Sequence, residues 1–170
     1  VADGMRGMAI TDHGNMFGIK EFFDYSKSVN KKLKEEGKEP FKPIFGCEMY
    51  VSRYGKKEKK DGKTDMGGYH LIVLAKNSKG YHNLVKLVSR AWVDGFYMRP
   101  RTDHEDLEKY HEGLIVCSAC IAGEVPHKIL ENDIEGARQS IEWHKRIFGD
   151  DYYLELQRHE VTDPNVRANR

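Results

Sequence analysis

An Asp-His pair at the end of a predicted strand is the most informative chemical feature of the sequence. Asp12 and His13 follow the apolar run 8–10, and Gly14 comes next, where a glycine lets the chain turn sharply. The ends of strands are where α/β proteins carry their chemical groups. A carboxylate and an imidazole at such a position are suited to holding a divalent metal ion.

Three further candidate ligands accompany later predicted strands. Glu48 lies inside the strand predicted over 43–51, His70 opens the run 70–75, and Cys120 follows the run 114–117. Imidazole and carboxylate ligands favour Zn²⁺, Mn²⁺ or Fe²⁺, whereas an all-oxygen site would suit Mg²⁺ or Ca²⁺. Glu48 has two carboxylate oxygens and could bridge two ions. Two ions about 3.5–4 Å apart activate a water molecule and stabilise the leaving oxygen in phosphoester hydrolysis.

Each candidate also has a simpler structural interpretation. His70 could be a hydrogen-bonded structural residue, Asp12 could cap a turn, and Cys120 could be a small buried side chain. The recurrence of such residues at successive strand ends favours the metal site. His159 follows the last predicted strand and is a further candidate ligand or substrate contact. The remaining histidines are predicted to lie at the surface: His82, His104, His111, His127 and His144.

Strands and helices alternate along the sequence, which predicts an α/β fold with a largely parallel sheet or barrel. The predicted strands are 8–11, 43–51, 70–75, 114–117 and 152–156. The predicted helices are 18–36, a helix with Ser78 as its N-cap, 125–130 and 134–148. The inward positions of the second helix are Leu84, Leu87, Val88 and Ala91. Those of the last helix are Ile134, Ala137, Ile141 and Ile147.

The lysine-rich segment 53–68 has two interpretations. It could be a solvated loop or a nucleic-acid-binding patch. Glu58, Asp61 and Asp65 are interleaved with the lysines, and no aromatic side chains lie among them, so the solvated loop is favoured.

The composition is that of one soluble globular domain. The chain has 170 residues, of which 39% are hydrophobic and 32% charged, and its net charge is +1, so no dominant nucleic-acid-attracting field is indicated. No apolar run is long enough to span a bilayer, and no signal-peptide pattern is present. Three cysteines in a chain of this length argue against a disulfide framework. Because the sequence lacks an initiator methionine and a closing element, we expect it to be a fragment of a longer protein.

The segment 9–18, which reads AITDHGNMFG, resembles the second motif of the PHP (polymerase and histidinol phosphatase) domain family. Segments 42–51 and 69–77 resemble the motifs that follow it in that family. The stretches 95–103, 114–126 and 153–159 are typical of the branch found in bacterial C-family replicative DNA polymerases. A single Thr-Asp-His-Gly would be weak support, but six motifs in order span essentially the whole chain.

The resemblance implies a distorted β/α barrel with divalent metal ions at the carboxyl ends of its strands. Residues 1–170 would form one PHP domain, incomplete at both ends, because the family's opening His-x-His and late Asp-x-His motifs lie outside the sequence. The ligand positions would be His13, Glu48, His70 and Cys120, with Asp12 as a candidate catalytic group. The catalytic carboxylates of the polymerase, and the Mg²⁺ they bind, would belong to another domain of the parent protein.

The resemblance also implies a parent enzyme that performs DNA-directed DNA synthesis in the bacterial cytoplasm, with DNA and other replisome subunits as partners and no membrane. The domain itself would be a metal-binding scaffold or a 3′-5′ exonuclease. Arg99 and Arg101 would then be suited to phosphate contacts, since guanidinium forks match phosphate oxygens. Their alternative role is ion pairing with Asp103, Glu105 or Asp106.

Two other functions remain alternatives. One is a free-standing PHP phosphoesterase such as a histidinol phosphatase, which the Arg-Pro-Arg and Ser-Ala-Cys stretches disfavour. The other is a structural interaction domain in which the ligand-like residues only pack.

Overall fold

A computed structural model describes residues 4–59 and 67–157. The strands are β1 (Gly7–His13), β2 (Lys42–Val51), β3 (Tyr69–Ala75), β4 (Arg101–Thr102), β5 (Leu114–Cys117) and β6 (Tyr152–Tyr153). The α-helices are α1 (Ile19–Glu35), α2 (Ser78–Val93), α3 (His104–Lys109), α4 (Glu124–Leu130) and α5 (Ile134–Phe148), and a 3₁₀ turn spans Gly149–Asp151. Every helix in the described part of the chain is too short or too polar to cross a membrane.

The strands form one mixed sheet in the order β1-β2-β3-β5-β6, and β4 pairs with β2. The α/β class is therefore confirmed, and five of the six described strands run in the same direction, in agreement with the expected largely parallel sheet. The sequence analysis did not anticipate the one reversed strand. Strand β3 runs antiparallel to both of its neighbours, β2 and β5. The sequence pattern cannot distinguish a parallel from an antiparallel β3, because a strand buried on both faces has the same continuous apolar run in either direction.

One face of β2 and β3 forms the hydrophobic core. Alternate residues of these strands point to the same side, and the buried ones on that side are Cys47, Met49, Val51, Leu71 and Val73. Helix α2 covers this face with the residues that its periodicity predicts, which are Leu84, Leu87, Val88 and Ala91. The opposite face of the same two strands carries Glu48, Tyr50 and His70 at one edge of the sheet.

Several local predictions need correction. Helix α2 is capped by Asn77 rather than Ser78, because the Asn77 side chain accepts a hydrogen bond from the Gly80 N–H at 2.9 Å. Ile134 is the first residue of α5 and is 60% exposed, so it does not face the core as predicted. His144, predicted at the surface, is only 2% exposed. Strand β6 has two residues instead of five.

Lys56 is an exception to the prediction of a solvated lysine-rich loop, since Lys57 and Lys59 are exposed as expected. Its side chain is buried, and its ammonium group lies 2.9 Å from the Asp106 carboxylate and 3.3 Å from that of Asp103. Arg90 also donates to both oxygens of Asp106 at 3.0 Å. Buried charges are tolerated only when paired in this way. The network fixes residue 56 beside α3, whereas residues 60–66 of the same stretch lie outside the described residues.

Asp103 gives this network a pH-dependent contribution to stability. Burial alone would raise the pKa of the carboxyl, but hydrogen bonds from the backbone N–H groups of Asp106 and Lys56 and the charge of Lys56 lower it below the ordinary value. A carboxyl whose pKa is lower in the folded state adds stability above the unfolded pKa. That stability is lost as the pH falls through the folded pKa.

Replacing Asp103 with Asn should therefore lower the free energy of unfolding at pH 7 by about 2 kcal/mol, the typical cost of losing hydrogen bonds to a charged group. The difference from the wild type should shrink as the pH falls below about 4. Urea titrations at pH 7 and pH 3 measure both effects. Asp24→Asn, at an exposed carboxylate on α1, is the matched control and should change stability by less than about 0.5 kcal/mol. A pH-independent loss for Asp103→Asn would contradict this account.

Candidate metal centre

The candidate ligands meet because β3 is antiparallel to its neighbours. His13, the last residue of β1, pairs in register with Glu48 of β2. His70, near the start of β3, pairs with Tyr50 near the end of β2. The start of β3 therefore lies at the same edge of the sheet as the ends of β1 and β2. A parallel β3 would have placed His70 at the opposite edge.

Side-chain alternation places these groups on one face. Glu48 and Tyr50 are two residues apart on β2, so both point away from the core face of Cys47 and Met49. The loop after β5 completes the group, because the His70 N–H donates to the Ala122 carbonyl at 3.0 Å and so holds Cys120 near the start of β3.

Three lone-pair donors converge at this edge. His70 Nδ1 lies 3.1 Å from Glu48 Oε1 and 3.6 Å from Cys120 Sγ, and the three ligand atoms lie within 4.8 Å of one another. The other carboxylate oxygen, Glu48 Oε2, contacts His13 Nδ1. The two oxygens of Glu48 therefore face two different histidines, as a carboxylate shared between two ions would.

The residues fit a divalent transition metal. The nearly buried carboxylate of Glu48, the imidazole of His70 and the thiol of Cys120 form a mixed oxygen, nitrogen and sulfur set, which suits Zn²⁺, Mn²⁺ or Fe²⁺ better than Mg²⁺ or Ca²⁺. The side chain of His13 is 75% exposed, so the group opens to solvent on that side. A site of this kind can admit both an ion and a substrate.

Asp12 has a positioning contact. Its Oδ2 accepts a hydrogen bond from the Gly18 N–H at 2.8 Å, which fixes the turn between β1 and α1. The Cys47 thiol donates to the Asp12 carbonyl at 3.4 Å, and burial raises the pKa of that thiol to about 12, so it stays protonated. These contacts correspond to the turn-capping alternative of the sequence analysis, and they fix the backbone directly before His13.

The two arginines of the Arg-Pro-Arg stretch have different surroundings. Arg101 is fully buried, and its guanidinium donates to the carbonyls of Gly95, Lys56 and Glu58, so it is a structural group and not the phosphate contact that was expected. Arg99 is exposed, and its Nη1 donates to the Tyr50 hydroxyl at 2.6 Å.

Tyr50 is the neighbour of the site that sequence reasoning missed. Its ring lies edge-on to the His70 ring with centroids 5.2 Å apart, and the Arg99 guanidinium lies over the Tyr50 ring at 4.7 Å from its centroid. The period of two along β2 could have identified it, since it follows Glu48 by two positions.

His159, the further candidate ligand, lies outside the described residues.

Comparison with known proteins adds an independent finding. The family model described as "PHP domain" matches residues 1–159. The DNA polymerase III subunit alpha of Borreliella burgdorferi is 48% identical over 98% of this chain, and that of Aquifex aeolicus is 42% identical over 98%. The Thermus aquaticus subunit is 42% identical over 92% of the chain. The chain spans only 14%, 14% and 12% of the lengths of these three relatives.

Gly14 allows a direct test of how the His13 turn is packed. Gly14 and Gly37 both have φ of +66°, but a Cβ on Gly14 would lie 2.8 Å from Pro100 and 2.9 Å from Tyr50, whereas a Cβ on Gly37 would meet nothing within 4 Å. Gly37→Ala should lower the free energy of unfolding by about 1 kcal/mol for the left-handed backbone. Gly14→Ala should lower it by about 1–3 kcal/mol more because of overpacking. Chemical denaturation measures both values, and equal losses would contradict the packing described here.

Proposed function

Because this chain belongs to the PHP domain family, we propose that it forms the metal-binding domain of a replicative DNA polymerase subunit. Relatives at up to 48% identity over 98% of the chain carry the name DNA polymerase III subunit alpha. Since the chain spans 14% or less of those three proteins, polymerisation and its Mg²⁺ would reside in other domains of the subunit. DNA and other replisome subunits would be its partners, and the bacterial cytoplasm its location.

The fold proposed for the domain is the distorted β/α barrel of the family. Residues 1–170 would supply one segment of that barrel, and the mixed sheet from β1 to β6 would be part of its wall. The polar face with Glu48, Tyr50 and His70 would line the inside at the edge where the ions bind.

The observation that carries the proposal is the convergence of Glu48 Oε1, His70 Nδ1 and Cys120 Sγ within 4.8 Å. These three residues would hold one ion, and His13 would share Glu48 with them to hold a second. A divalent ion at this position supplies Lewis-acid activation of water and of a phosphoryl oxygen. Asp12 would position His13 through the turn instead of acting as a catalytic group.

Arg99 favours a second candidate function, hydrolysis of the 3′ end of DNA. It is exposed, and its contact with Tyr50 places it one side chain away from His70. The Arg99 guanidinium could donate to a phosphate oxygen in place of the neutral Tyr50 hydroxyl. The hydrogen bond to the phosphate would be the stronger of the two because the acceptor is an anion. Arg99 would hold the phosphodiester, and the neighbouring Tyr50 would orient the guanidinium towards it.

Metal analysis of the intact protein tests the first function. Glu48→Gln keeps the size of the side chain and removes the charge that two histidines share, so at least one metal ion per chain should be lost. His70→Ala should give the same loss. Atomic spectrometry of protein purified without added chelator measures the content, and near-UV circular dichroism confirms that the fold is retained.

The matched control is Glu35→Gln, at an exposed glutamate at the end of α1, which should keep the wild-type metal content. An unchanged metal content in both Glu48→Gln and His70→Ala would overturn the ligand assignment.

A nuclease assay on the same intact protein tests the second function. His70→Ala should slow removal of 3′ nucleotides from single-stranded DNA at least a hundredfold. Arg99→Ala should raise KM by about 10- to 150-fold and change kcat less, because it removes a charge-assisted bond worth about 1.5–3 kcal/mol. Arg146→Ala, at an exposed arginine of α5, is the control. Undiminished cleavage by His70→Ala would exclude this site as the nuclease.

A further inference from the structure

A second group of metal-ligating side chains lies where three helices meet. His104 begins α3, Glu124 begins α4, and His144 lies in the last two turns of α5. One ligand atom from each of them lies within 4.8 Å of the others. The group shares no residue with the cluster of Glu48, His70 and Cys120.

His144 is held in the state that a metal ligand requires. Its Nδ1 lies 2.8 Å from the Ser140 carbonyl, an oxygen that can only accept, so Nδ1 carries the ring proton. The lone pair is then on Nε2, and a backbone carbonyl behind the ring is the usual partner of a ligating histidine.

The Nε2 atom has no hydrogen-bond partner among the described residues, although the ring is buried. The Tyr152 hydroxyl, whose ring stacks on His144 with centroids 4.8 Å apart, is a second buried polar group without a partner there. An orphaned buried polar atom costs about 1–3 kcal/mol. A bound ion at Nε2 would remove that cost for His144.

Glu124 presents one oxygen to this position. Its Oε1 is held by the Lys128 ammonium at 3.3 Å, and its Oε2 lies 3.2 Å from His104 Nε2. The carboxylate is nearly buried, whereas the His104 side chain is 41% exposed, which gives an ion a route from solvent. Trp143 packs edge-on against the His104 ring at 4.3 Å and restricts its orientation.

We propose that His104, Glu124 and His144 form a structural site for a zinc-type divalent ion. The ion would take His104 Nε2, Glu124 Oε2 and His144 Nε2. The ring proton of His104 would then be carried by Nδ1, exchanged through solvent, so that the Nε2 lone pair is free for the ion. Two imidazoles and one carboxylate leave a fourth position for water, as in catalytic zinc sites. The role proposed here is structural because the three ligands come from three helices. The Lys128 ammonium would remain bound to Glu124 Oε1, so Glu124 would bind the ion through Oε2 alone.

The site would fasten three helices to one another. Helices α3 and α4 have six and seven residues, too few to be stable without tertiary contacts. An ion bound to the first residue of each, and to α5, would fix both helix starts. Gly123 forms a β-bridge with His70. Because Glu124 is the next residue, an ion bound to Glu124 would also restrict the motion of the loop that carries Cys120.

Zinc stoichiometry of the intact protein tests the proposal in a His70→Ala background, which removes the other candidate cluster. Protein stripped with chelator, reloaded with ZnCl₂ and dialysed should retain this zinc. His144→Phe keeps the ring stacking, and Glu124→Gln keeps the side-chain size. Each should lose one zinc per chain relative to the background, and each should lose the zinc-dependent rise in Tm.

The matched control is His82→Phe, since His82 makes the same contact, from Nδ1 to the carbonyl four residues earlier, at 2.7 Å on an exposed helix face. It should retain the zinc. Retention of the zinc by Glu124→Gln would overturn the proposal even if His144→Phe fails to fold. This result is independent of the Glu48→Gln experiment, so failure of either site is distinguishable from failure of the other.

Discussion

The antiparallel pairing of β2 with β3 is the constraint on which the candidate metal centre depends. Its register sets Tyr50 opposite His70, and thereby brings the start of β3 to the edge where β1 and β2 end. The same pairing turns Glu48 and His70 to one face and leaves the other face to the apolar core. A slip of one residue would exchange the two faces, so the core and the ligand group stabilise a single register.

The site is supported by contacts that are themselves tightly packed. The glycine after His13 fits against Tyr50 only because it has no side chain, and its carbonyl accepts a hydrogen bond from the Trp92 indole at 2.8 Å. Farther along, the buried charges around Lys56 fix the approach to α3. These contacts keep the histidine and carboxylate groups in place before any ion binds, which lowers the cost of organising the site.

Both groups of candidate ligands are built at the ends of secondary-structure elements. In the first, strand ends supply three residues and a loop supplies Cys120. In the second, two helix starts supply His104 and Glu124, and α5 supplies His144. The His144 ring is stacked between those of Phe148 and Tyr152. The first opens to solvent at His13, whereas the second joins three helices and is reached from solvent at His104.

The sequence by itself determined the types of the longer elements, the inward face of α2 and the association of His13, Glu48, His70 and Cys120 with strands. Periodicity and local turn chemistry are encoded by neighbours along the chain. The short elements β4 and α3 were not predicted. Only the tertiary structure decided the direction of β3, the burial of Lys56 and Arg101, and the meeting of His144 with Glu124. Strand direction and the partners of a buried charge depend on residues distant in sequence. No local pattern can therefore specify them.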